Sequence, residues 1–358
     1  MAHSLTDALR CHEISRRAFL KFCATTASLL ALPPTMIPNI AQALETAKRQ
    51  SVIWLSFQEC TACTESLTRF HEPSIESLIF DYLSLDYHHT LQAAAGEAAE
   101  QALETAMQQN QGNYLVIVDG AVGHGGYSTV AGHDNRSTLQ KVAAGAKAII
   151  AMGSCAAFGG LPVAAPNPTG AQSVSQLIHD KPIINVPGCP PIPMVIVSVV
   201  AHVLTFGRLP ELDNLKRPLA FYGQNIHDRC YRRPFYERGQ FANSFDDEGA
   251  KKGWCLYKLG CKGPVTYNAC ATMKWNDGTS FPIESGHGCL GCSQPNFWDA
   301  GGFYQALSVP LTDVKTTAGY ALAAGAAVGL GAGALNAVKK GRSIQQHEVV
   351  TINDLEKE

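Results

Sequence analysis

Between residues 51 and 204 the chain alternates short apolar runs with longer stretches of helical periodicity. The runs fall at 52–57, 83–87, 114–118, 148–152 and 182–186, each of strand length. Helix-prone stretches such as 93–109 lie between them, and 194–204 closes the region. Strands that alternate with helices predict a parallel sheet covered on both faces. The expected fold class is therefore α/β, a doubly wound, flavodoxin-like parallel sheet over residues 44–208. Beyond 209 the alternation stops. The stretch to 312 is rich in Gly, Pro, Asn and charge, with no convincing long helix. It reads as a smaller, irregular domain that needs bound metal in place of a large apolar core.

Both ends read as addresses. Ser15, Arg16, Arg17, Ala18, Phe19, Leu20 and Lys21 lead into an apolar run at 22–32, and Ala41, Gln42 and Ala43 offer a small-residue cleavage site. Residues 1–43 are expected to be a twin-arginine signal peptide, with the mature chain starting at Leu44. At the other end, 316–338 carries no charge, and Lys339, Lys340 and Arg342 follow. That predicts one transmembrane helix, with a cytoplasmic tail at 339–358 and the body outside the inner membrane. Gly325, Gly329 and Gly333 lie four apart, a smooth stripe for a neighbouring membrane helix. The expected location is the periplasmic face of the inner membrane.

Composition narrows the chemistry only modestly. With 46% hydrophobic and 16% charged residues the 358-residue chain is not disordered, and a formal net charge of -2 gives no reason to expect nucleic acid. The segment 120–126 is rich in Gly, but it lacks Gly-x-Gly-x-x-Gly spacing and any Lys-Ser/Thr, so it reads as a plain loop.

Twelve cysteines are many, and their positions carry the argument. Cys11 and Cys23 lie in the signal. Cys60 and Cys63, Cys155, and Cys189 each follow a predicted strand, and in doubly wound sheets ligands bind beyond the carboxyl ends of the strands. Those four thiols are expected to form one site. The irregular region supplies a second group, His227, Cys230, Cys255 and Cys261, and a third, Cys270, Cys289 and Cys292. Division into four, four and three suits two [4Fe-4S] clusters and one [3Fe-4S] cluster. Disulfides suit exported chains, but twin-arginine substrates fold before export in a reducing compartment. Zinc favours nearby paired ligands, whereas distant single cysteines complete the groups here.

The motifs at these positions resemble the small subunits of membrane-bound nickel-iron hydrogenases over essentially the whole chain. The resemblance rests on Glu-Cys-Thr-Ala-Cys-Thr-Glu-Ser at 59–66, Gly-Ser-Cys at 153–155 and Pro-Gly-Cys-Pro-Pro at 187–191. It continues in Ile-His-Asp-Arg-Cys at 226–230, Gly-Trp-Cys-Leu-Tyr at 253–257, Leu-Gly-Cys-Lys-Gly-Pro at 259–264 and Gly-His-Gly-Cys-Leu-Gly-Cys at 286–292. By that resemblance Cys60, Cys63, Cys155 and Cys189 hold a proximal [4Fe-4S] cluster. His227, Cys230, Cys255 and Cys261 hold a distal [4Fe-4S] cluster, and Cys270, Cys289 and Cys292 a medial [3Fe-4S] cluster, with Pro282 at the corner lacking a thiolate.

The resemblance implies oxidation of H2 to two protons and two electrons at a nickel-iron centre on a partner large subunit. No catalytic residue is expected on this chain, which passes electrons towards a membrane cytochrome b and quinone. The twin-arginine translocase is the expected export partner. The alternative is an iron-sulfur electron-transfer subunit of another respiratory oxidoreductase. In the oxygen-tolerant branch of the family two further cysteines flank the proximal ligands. Ala62 and Gly160 occupy those places here, which implies a standard, oxygen-sensitive cluster type.

Overall fold

A computed structural model describes residues 16–29, 32–46, 49–70 and 83–307. Five parallel strands form the main sheet: β1 (Gln50–Ser56), β2 (Leu83–His88), β3 (Tyr114–Asp119), β4 (Ala146–Met152) and β5 (Ile183–Val186). Their order is β2-β1-β3-β4-β5, the flavodoxin-like arrangement, with its switch point between β1 and β3. Pairing runs in register from Val52 opposite Leu115 to Ser56 opposite Asp119, so β1 and β3 end level at the carboxyl edge.

Both faces of the sheet are buried, as the continuous apolar runs require. Alternate side chains divide between two cores. Val52, Trp54, Leu115, Ile117, Ile150 and Val186 point into one, and Ile53, Leu55, Val116, Val118 and Ile149 into the other. The labelled helices are α1 (Arg16–Leu29), α2 (Ile37–Thr46), α3 (Ala62–Thr68), α4 (Glu97–Gln109), α5 (Asn135–Ala144), α6 (Gly153–Phe158) and α7 (Pro193–Phe206). α4 starts at Glu97 rather than 93, because Gly96 stands at its N-cap and Glu97 and Glu100 fill the first turn, where acids oppose the helix dipole favourably. α5 is capped by Asp134, whose side chain accepts from the amides of Arg136 and Ser137. α4 and α5 cover the second core.

α7 is apolar nearly all round, and such a helix needs cover on more than one side. The sheet supplies one side. Cys23 and Ala27 of α1 and Ile40 and Ala41 of α2 join the same core. The apolar part of the segment set aside as a signal thus lies against the α/β layer, with Ala41 of the expected cleavage site buried.

The chain from 209 to 307 contains only short helices and turns. Ion pairs and aromatic contacts tie it down. Arg217 is buried, pairs with Asp213 at 2.8 Å, donates to Ser293 O at 3.2 Å and lies between the rings of Tyr222 and Tyr267. The residues up to Leu307 form one compact unit. Among the described residues no helix is long and apolar enough to cross a membrane; the predicted span at 316–338 and tail at 339–358 lie outside them.

Candidate metal centres

The first cysteine group is built at the carboxyl edge of the sheet. Leaving β1, Phe57 N donates to Asp119 O at 2.8 Å, and Gln58 exchanges backbone bonds with Ala121. This pins the loop that carries Cys60. Thr61, in a left-handed conformation, then turns the chain into α3, which presents Cys63. β4 runs straight into α6 with Cys155, and β5 leads to Cys189. Gly153, at the β4–α6 junction, has φ +78°, and a Cβ there would collide with Cys63 Sγ.

The thiols feel one another. Burial pushes Cys63 well above its ordinary value, with Asp119, Cys155 and Cys189 adding to it. Cys155 is pushed up to about 12 by burial and by Cys189 and Cys60, and Cys189 is raised by burial and Cys60. Cys60 and Cys189 are exposed, so this group opens on the protein surface. Sequence reasoning missed Asp119, which ends β3 behind Cys63; burial and then the neighbouring Glu59 raise its carboxyl to about 7. An acid closing an all-apolar strand was the signal available.

His227, Cys230, Cys255 and Cys261 line one small cavity together with Arg232, Arg233 and Ile283. The His227 imidazole packs edge-on against Tyr236, and burial and then Arg233 lower its pKa, favouring the neutral, metal-binding form. Arg232 donates to Trp254 O at 2.9 Å and faces Cys230, Cys255 and Cys261, where its charge favours the thiolates.

Cys270, Cys289 and Cys292 line a cavity of about 90 Å³ walled by Trp275, Phe281, Pro282 and Phe297. Cys189 of the first group also reaches it. Burial pushes Cys270 up to about 12 and drives Cys289 and Cys292 well above the ordinary thiol range.

This donor set fits iron-sulfur clusters. Deeply buried thiols ionise only when a metal supplies the opposing charge. No three His, Cys, Asp or Glu side chains among the described residues stand close enough together for a single metal ion. Zinc needs ligands converging on one point, whereas a cluster spreads them around a larger body. Among the described residues, none of the cysteines of these three groups is in a disulfide.

Similarity to known proteins narrows the class in two steps. Residues 60–203 match the family described as NADH ubiquinone oxidoreductase, 20 Kd subunit. Residues 222–305 match the family described as the C-terminal part of the NiFe/NiFeSe hydrogenase small subunit. The chain is 49% identical over 342 residues to the uptake hydrogenase small subunit of Azotobacter vinelandii, covering 93% of this chain and 96% of the relative. It is 48% identical to the hydrogenase-1 small chain of Escherichia coli K12, covering 87% and 85%. Its fold is similar to that of a chain of the H2-activated [NiFeSe]-hydrogenase from Dm. baculatum, with a TM-score of 0.67 and 35% identity, covering 73% of this chain and 100% of that one. The chain belongs to the nickel-iron hydrogenase small subunits.

Proposed function

We propose that this chain carries electrons from hydrogen oxidation on a partner large subunit through three iron-sulfur clusters. The observation that carries the reading is that each predicted ligand group gathers in space, and that Cys189 of the first group lines the cavity of the third. In this reading Cys60, Cys63, Cys155 and Cys189 hold the proximal [4Fe-4S] cluster. Cys270, Cys289 and Cys292 hold the medial [3Fe-4S] cluster, and His227, Cys230, Cys255 and Cys261 the distal [4Fe-4S] cluster. The clusters, when bound, supply one-electron redox chemistry.

The chain's own residues do the rest. In this reading the large subunit covers the exposed Cys60 and Cys189 and so excludes water from the first site. Pro282 walls the third site where a fourth thiolate is missing. Arg232 offsets the negative charge of the second group. The proposed organisation is a signal peptide at 1–43, the α/β domain at 44–208, the cluster-binding domain at 209–312, a membrane helix at 316–338 and a tail at 339–358. Residues 16 and 17 would address the chain to the twin-arginine translocase. The membrane helix would hold it at the periplasmic face beside a cytochrome b that reduces quinone.

A second reading, as a cluster-bearing part of another respiratory oxidoreductase, draws on the broader match at 60–203. The second and third groups and the match at 222–305 favour the hydrogenase reading. The test is co-purification with the large subunit, assay of hydrogen-dependent dye reduction and an iron count. About 11 irons per copy of this chain, four, four and three, are expected. Zinc in place of iron, or no dye reduction by the intact complex, would overturn the reading.

A further inference from the structure

Ser154 ties the first cysteine group to the third. It is buried at the start of α6, between Gly153 and Cys155. Its backbone N–H donates to Gly188 O at 2.9 Å, and the Gly188 N–H donates to Ser154 Oγ at 3.0 Å. The hydroxyl proton goes to the carbonyl oxygen of Cys292. One side chain therefore bonds the residue before Cys189 and the backbone of Cys292, which belong to different groups. The hydroxyl does not cap α6, whose N-cap is Met152. Its donor and one of its acceptor places are both used across the junction.

Resting on the ligand assignment above, we propose that Ser154 is a positioning residue for electron transfer between the first and third sites, and that it sets how readily the third accepts an electron. One electron leaves the first site and enters the third; no covalent bond forms or breaks, and Ser154 keeps its proton. The Ser154 O–H dipole turns its positive end to the Cys292 carbonyl and offsets that carbonyl's negative end beside the third site, and such a fixed dipole favours an added electron there. The same bond holds the Cys292 loop against Gly188, which keeps the span between the two sites fixed. Removing it makes the third site harder to reduce and loosens the span.

The experiment is Ser154→Ala in the intact complex with the large subunit, followed by EPR redox titration. At fixed potential the reduced-to-oxidised ratio of the third site should fall by about two- to tenfold, the weight of one hydrogen bond. The magnetic interaction between first and third sites should change, while the second site titrates as in the wild type. Ser154→Thr, which retains the hydroxyl, should restore the wild-type titration. An unchanged third site in Ser154→Ala overturns the proposal. Loss of iron from both variants also overturns it, because the residue would then serve folding alone. A wild-type complex with no [3Fe-4S] signal would instead overturn the ligand assignment itself, before any variant is compared.

Discussion

Cys289 donates its backbone N–H to Cys261 Sγ at 3.3 Å, so a member of the third group is bonded directly to a member of the second. The contact is reciprocal through the chain: Lys262 N donates to Cys289 O at 2.8 Å. Thr266, buried beneath, donates its hydroxyl to Lys262 O at 2.6 Å and fixes the turn. With the Ser154 bridge, both junctions in the proposed electron path are hydrogen-bonded between ligand loops. Bonds to sulfur lower the cost of negative charge there, so these contacts bear on potential as well as on position.

Gly153→Ala should cost the first site its cluster. The new Cβ would collide with Cys63 Sγ in a conformation that L side chains rarely adopt. Iron analysis should show a loss of about four irons per chain, one cubane, with the second and third sites retained. A full iron complement with an unaltered proximal EPR signal would contradict this.

Oxygen should inhibit the enzyme. A Cβ built on Gly160 would stand 2.7 Å from Cys155 Sγ, so position 160 adjoins the first group, yet glycine offers it no ligand. Ala62 likewise precedes Cys63 with a side chain that cannot bind iron. On the proposed ligand assignment the proximal site would have four thiolates and hold an ordinary cubane. The check is hydrogen uptake on an electrode while oxygen is admitted; sustained turnover in air would refute it.

Replacing Arg16 and Arg17 with Lys should leave precursor in the cytoplasm, because the pair is read as an address and not as general positive charge. Cell fractionation reads the outcome. Normal periplasmic activity in the double variant would remove the export argument.

Truncation before Thr316 should release an active heterodimer from the membrane and abolish hydrogen-dependent quinone reduction, since every proposed ligand precedes the cut. Sedimentation of the truncated protein with membranes would show that another surface anchors it.

Stability should fall on acidification between about pH 6.5 and 4. His88 is buried against Trp54, its Nδ1 accepts from the amides of Thr90 and Leu91, and burial lowers its pKa from 6.5 to about 4. With the folded pKa depressed, the unfolded chain binds the proton first, so this contribution is full above pH 6.5 and lost as pH falls towards 4. Thermal unfolding against pH should show the slope in the wild type and a flatter profile in His88→Gln.

Much of this architecture is local and therefore legible along the chain. Apolar runs placed all five strands to within two residues: β1, β3, β4 and β5 read as near-continuous because both their faces are buried, whereas the edge strand β2 alternates, with Ser84 and Asp86 only half-buried. The turn after each of β1, β4 and β5 carried its cysteine openly, since a chain leaving a parallel strand must emerge at the carboxyl edge. α4 began later than its periodicity suggested, since a backbone cap outweighs pattern. Other relationships depend on groups brought together from far apart. Ser154 and Cys292 are separated by 138 positions, and nothing near Ser154 announces its partner. The burial of Asp119, the enclosure of Arg217 by Tyr222 and Tyr267, and the packing of α1 and α2 on α7 also arise only when distant surfaces meet. The sequence by itself determined which residues could bind metal and where each strand would deliver them. Tertiary structure decided which ligand loops touch, because a hydrogen bond of about 3 Å depends on the packing of every layer between its partners.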